Sequence, residues 1–147
     1  MGNIHKSVEA IAIEVIERLG QERIDDKEME WAISIFKSTR TLLSSYRKRA
    51  KEKGDMSPRA TIIEQAIIAY KESCISSKKE DLIRRYNMMY HYFIAAEKKR
   101  YSDLAKDYYV NERTVRRDIK NAVCDMMIHF YGIDGLIALT YLTKQNN

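Results

Sequence analysis

The sequence predicts an all-α fold: a helical bundle with a helix-turn-helix in its C-terminal half and no wing. Three observations carry this. Apolar residues return at the three- and four-residue spacing of a helix face along most of the chain. Five glycines and one proline in 147 residues are too few for a turn-rich β fold. The breaks that do occur carry helix start and stop chemistry.

In chain order, Ile4, Val8, Ile11, Val15 and Leu19 fall on one face of a first helix that Gly20 ends. Asp26 is the expected cap of a second helix, running through Trp31, Ile35, Leu42, Leu43 and Tyr46 to Lys53, with Gly54-Asp55 as its stop. Ser57-Pro58 marks a third start, because proline at the first helical position lacks only an amide that would have no partner there. That helix carries Ile62, Ile63, Ala66, Ile67 and Tyr70 and fades at Ser76-Ser77. Ser77-Lys78-Lys79-Glu80 has the form of a capping box, opening a helix with Leu82, Ile83, Tyr86, Met89, Tyr90, Phe93 and Ile94 on its apolar stripe. Met88, Met89, Tyr86, Tyr90 and Tyr92 suit core gaps better than a ligand pocket or a stacking platform for bases at this spacing.

The charge of +5 favours an anionic partner, and its placement narrows the choice. Arg47, Lys48, Arg49, Lys51 and Lys53 form a basic run at a helix end. Such a run is more often a solvated face that complements the helix dipole than a ligand site. Arg47, Arg49, Lys98, Lys99, Arg100 and Ser102 are therefore only secondary candidates for phosphate contact.

The informative stretch runs from Tyr101 to Val123. Ser102 is the expected cap of a short helix bearing Leu104, Ala105 and Tyr108, with Ala105 small enough for a close helix crossing. A tight turn at Tyr109-Val110-Asn111 follows, Val110 filling the angle and Asn111 capping the second helix. At about 100° per residue, Val115, Ile119, Ala122, Val123, Met126 and Phe130 share one face of that helix. Arg113, Arg116, Arg117 and Lys120 share the other. A helix buried on one side and cationic on the other suits insertion into a DNA major groove, where arginine can donate two bonds to guanine. Asn111, Glu112 and Arg113 sit at the end that points to base edges, and Thr114 beside them can reach a phosphate. Tyr109 stands where such turns usually have glycine, and a left-handed residue other than glycine costs roughly 1 kcal/mol.

The run Asn111-Glu112-Arg113-Thr114-Val115-Arg116-Arg117-Asp118-Ile119 resembles the recognition helix of DeoR-type bacterial regulators. No winged hairpin follows; the helix continues to Phe130 and then reads Tyr131-Gly132-Ile133-Asp134-Gly135-Leu136. That ending, behind a Tyr-rich helix and a sigma-factor-like helix-turn-helix, looks more like phage regulators of the ArpU and RinA kind. The resemblance covers roughly residues 80 to 137 and implies control of phage or prophage transcription.

Catalysis has little support. His5, His91 and His129 lack metal-ligand spacing, and no glycine-rich phosphate loop is present. Asp25-Asp26 and Glu80-Asp81 fall at helix starts, where carboxylates stabilise the dipole. Cys74 and Cys124 are expected as reduced thiols, without a metal or a disulfide. No signal pattern or bilayer-length apolar run appears, so the chain is expected in the cytoplasm without a membrane partner.

The expectation is thus a non-enzymatic, cofactor-free regulator that binds double-stranded DNA in a sequence-specific way. Residues 1–54 would form an N-terminal arm that either completes the core or mediates oligomerisation. Residues 55–147 would hold the helix-turn-helix at about 101–123, with a short last helix after Asp134-Gly135. A homodimer would supply two reading heads. The alternatives are a phage DNA-packaging protein like small terminase subunits, and a sigma-like module that touches RNA polymerase.

Overall fold

A computed structural model describes residues 10–11, 13–14, 17–18, 23–53 and 58–145. Most of the helix expected over Asn3–Leu19 lies outside the described residues, as do Gly20, Gly54, Asp55 and Ser57. Among the described residues every regular element is helical: α1 (Asp26–Lys53), α2 (Pro58–Ser76), α3 (Glu80–Met89), α4 (Tyr101–Asp107), α5 (Glu112–Tyr131) and α6 (Ile133–Gln145). Tyr90–Ile94 extends α3 as a turn of π-helix.

Several starts shift by a residue or more, each for a local reason. Asp25, not Asp26, caps α1: its carboxylate accepts from the Glu28 amide at 2.8 Å, and Glu28 accepts from the Asp25 amide at 3.2 Å. The capping box expected from Ser77 does not form. The Ser77 hydroxyl instead donates back to the Cys74 carbonyl at 2.6 Å, Lys78 turns left-handed at φ 58°, and α3 opens after Lys79. Ser102 lies inside α4. Arg100 is the extended residue before that helix, and its amide donates to Asp103 at 3.0 Å. The last helix is longer than expected and begins at Ile133, because Gly132 at φ 61° ends α5 and turns the chain directly into it.

The core forms two linked clusters. The larger gathers Leu43 of α1, Ile63, Ile67, Tyr70 and Cys74 of α2, Tyr86, Met88 and Met89 of α3, and the inner face of α5. In the smaller, Met127 of α5 meets Ala32 of α1 and Ala138 and Tyr141 of α6, with Phe36 packed against both. Residues 26–53 are therefore packed into the same core as the C-terminal helices. Trp31, expected on the inner stripe of α1, sits at the edge of the smaller cluster, with its ring 6.1 Å from that of Tyr141. Ile62 also departs from its expected inner face and is exposed.

Polar links fix the helices around α5. Asp118, buried on α5, accepts from Arg84 Nε of α3 at 2.8 Å. Asp125 accepts from the Tyr70 hydroxyl of α2 at 2.7 Å and pairs with Arg85 of α3 at 3.0 Å. Burial, and then the Asp125 charge, push the Tyr70 phenol far above its ordinary value, so it remains a donor. Gly135 lets α6 approach α5 closely, since a Cβ there would lie 2.0 Å from the Met127 carbonyl oxygen.

Candidate nucleic-acid interface

The site is built on α4, the turn after it and α5. The turn closes with the two bonds that define a Schellman ending: Val110 N–H donates to Ala105 O at 3.0 Å, and Tyr109 N–H to Lys106 O at 3.4 Å. Tyr109 takes the left-handed position at φ 56° and is 95% exposed, so the missing glycine changes the cost of the turn and not its shape. Val110 packs against the core beside Ala105. Asn111 then begins α5, its side-chain oxygen accepting from the Thr114 amide at 2.8 Å.

On α5, Val115, Ile119, Ala122, Val123 and Met126 are buried. Arg113, Arg116, Arg117 and Lys120 are exposed on the other side, with Glu112 and Asn111 exposed at the N-terminal end and Thr114 half-buried. None of the four cations pairs with a carboxylate among the described residues. Their charge stands open to an anionic partner, while the one acid that α5 buries in the same stretch, Asp118, is neutralised from behind by Arg84.

Two tyrosines join this face to the loop before α4. The rings of Tyr92 and Tyr101 stack at 4.8 Å and 6°. Lys98 Nζ lies 4.7 Å from the centroid of Tyr92, and the Arg116 guanidinium 5.4 Å from that of Tyr101. Both distances are within cation–π range. The order Lys98, Tyr92, Tyr101, Arg116 is thus a continuous ladder that steadies Arg116 and brings Lys98 towards the α5 face. Burial and hydrogen bonding with Tyr101 raise the Tyr92 phenol. Burial also acts to raise Tyr101, but hydrogen bonding with Tyr92 and Arg40, together with the charges of Arg40 and Arg116, brings it below its ordinary value. The sequence marks Tyr92 only as a core filler and gives no sign that it meets Tyr101 and Arg40, because the residues that meet here come from separate elements.

The other candidate phosphate contacts divide. Arg47 is taken up by the chain itself: its guanidinium donates to the carbonyls of Ala95, of Tyr92 at 3.2 Å and of His91 at 3.3 Å. Those carbonyls end the π turn, so Arg47 acts as a C-terminal cap for α3. Lys99, in the loop before α4, pairs at 2.7 Å with Asp107, the last residue of that helix, on the surface. Arg100 stays mostly exposed, with Asp103 3.8 Å away. Ser102 is half-buried in the first turn of α4. Arg49 lines a cleft between α1 and α2 with Tyr46, Ile63 and Glu64, apart from the α5 residues.

The described residues contain no group of three His, Cys, Asp or Glu side chains arranged to hold a metal ion. Cys74 and Cys124 are both free thiols, raised above their ordinary value by burial. Among the described residues no helix is long and apolar enough to cross a membrane. No family model, characterised protein or solved structure matches the chain.

Proposed function

We propose that this protein is a non-enzymatic, sequence-specific double-stranded DNA-binding regulator of transcription, of phage or prophage type, and that α4, its turn and α5 act as a helix-turn-helix. One observation carries the reading: α5 buries an apolar face, interrupted only by the paired Asp118, while Arg113, Arg116, Arg117 and Lys120 line its exposed face without carboxylate partners among the described residues. A rod of that form enters the major groove, where its N-terminal residues meet base edges and its flanking cations meet phosphates. Arg113 lies nearest the cap and is assigned to base contact. Arg116, Arg117 and Lys120, together with Lys98 through the tyrosine ladder, are assigned to backbone and groove-edge contact.

The test is fluorescence anisotropy on duplexes recovered by selection from a random pool, repeated across a salt series. Arg116→Ala with Arg117→Ala is expected to weaken binding and reduce the log–log salt slope by about one for each phosphate that is no longer neutralised. A folded double variant with unchanged affinity and slope would defeat the reading. A selection that returns no preferred sequence would favour a DNA-packaging role over a regulatory one.

A further inference from the structure

The outer face of α2 is unusually apolar for a helix so well seated on its other side. Ile63, Ala66, Ile67, Tyr70 and Cys74 are buried, yet Ile62 is 68%, Ile68 40% and Ile75 51% exposed. Single exposed isoleucines are ordinary on a protein surface. Here their register is what matters. Ile68 and Ile75 are seven residues apart, as are Ile62 and Ala69, so the four form two neighbouring outward stripes with Gln65 and Glu72 between them.

We propose that this face is a homodimer interface in which α2 of one chain packs antiparallel on α2 of a second copy, about a two-fold axis near Ile68 and Ala69. A closed two-fold contact must be self-complementary, and this sequence is so in one direction only. Run antiparallel, Gln65 meets Glu72 of the second copy on the central line, while Ile68 meets Ile68 and Ala69 meets Ala69 on either side of the axis, with Ile62 and Ile75 towards the ends. Beside the axis apolar residues meet apolar ones, and the carboxylate faces an amide donor. Glu64 and Lys71, both exposed on one flank, then come opposite each other across the pair. Run parallel, Glu72 would face Glu72 on the central line, which opposes pairing. Charge thus selects both the occupant and its direction. The proposal is independent of DNA binding, since none of its residues belongs to the α5 face.

Light scattering after size exclusion, on the full chain at micromolar concentration, tests it. The wild type is expected at twice the 17.3 kDa chain mass, and Ile68→Glu with Ile75→Glu at the chain mass itself. Helicity by circular dichroism checks that the variant is folded. A monomeric wild type, or a dimer indifferent to those substitutions, overturns the proposal. Direction is read by oxidative cross-linking on non-reducing gels, against the wild-type background of Cys74 and Cys124. A mixture of Gln65→Cys and Glu72→Cys chains is expected to link, whereas Gln65→Cys alone is not. Self-linking of Gln65→Cys without the mixed product would overturn the antiparallel arrangement.

Discussion

Tyr92 lies flat against Tyr101, the ring planes 6° apart, and each ring carries a cation on its far side. The pair fastens the loop before α4 to the exposed face of α5, so its removal should be felt in two measurements. Tyr101→Ala is expected to cost about 1 kcal/mol in chemical denaturation, the usual worth of an aromatic pair. It should also weaken duplex binding by less than Arg116→Ala does, because it frees the guanidinium without removing it. An equal or larger drop in DNA affinity than in Arg116→Ala would show that the ring itself contacts DNA.

Tyr109 holds a left-handed turn with its side chain in solvent, so replacing it can relieve strain without opening a cavity. Tyr109→Gly is expected to stabilise the fold by up to about 0.5 kcal/mol, after the added freedom of the unfolded chain is set against the relief. Tyr109→Val should destabilise it, since β-branching tolerates positive φ poorly. Urea midpoints at constant m-value would report both.

Asp118 depends on Arg84. Removing the arginine leaves a carboxylate that is almost wholly buried without its cation. Because the arginine is itself partly solvated, Arg84→Ala should cost about 2–3 kcal/mol, near the low end for a broken buried pair. Arg84→Ala combined with Asp118→Asn should recover part of that stability. A single variant as stable as the wild type would contradict the pairing.

Gly135 has no room for a side chain against the Met127 carbonyl, and backbone cannot yield as a flexible side chain can. Gly135→Ala is expected to shift or detach α6 at a cost of about 3 kcal/mol or more, in the class of severe overpacking. Rupture of the Tyr141 hydroxyl bond to Glu28, now 2.9 Å, would accompany it. Thermal melts of the two proteins provide the comparison.

His91 and His129 both have their pKa lowered by burial. Lys99 lowers His91 further, while Asp107 opposes the shift at His91 and Asp125 opposes it at His129. A histidine lowered on folding binds its proton more readily in the unfolded chain. The stability it confers is therefore complete above the unfolded value of about 6.5 and is lost as pH falls through the depressed folded values. Denaturation midpoints should drop between pH 7.5 and pH 5.5, and His129→Gln should narrow the difference. A midpoint that rises on acidification would contradict the sign.

The all-α class, the extents of α1 and α2 and the inner and outer faces of α5 were legible in the order of residues. Each rests on local periodicity or on a cap only a few positions away. Val115, Ile119 and Met126 could be placed inward, and Arg113, Arg116, Arg117 and Lys120 outward, because a helix repeats every 3.6 residues whatever it packs against. Tertiary structure decided what the charged groups meet. Arg47 and Arg116 are both arginines on helices, yet one caps the α3 carbonyls and the other rests on a tyrosine face. Asp118 reads as one more surface acid until α3 brings Arg84 against it. Such pairings join residues tens of positions apart, and no spacing rule reaches them. They exist only once burial of the apolar faces has fixed which helices lie side by side.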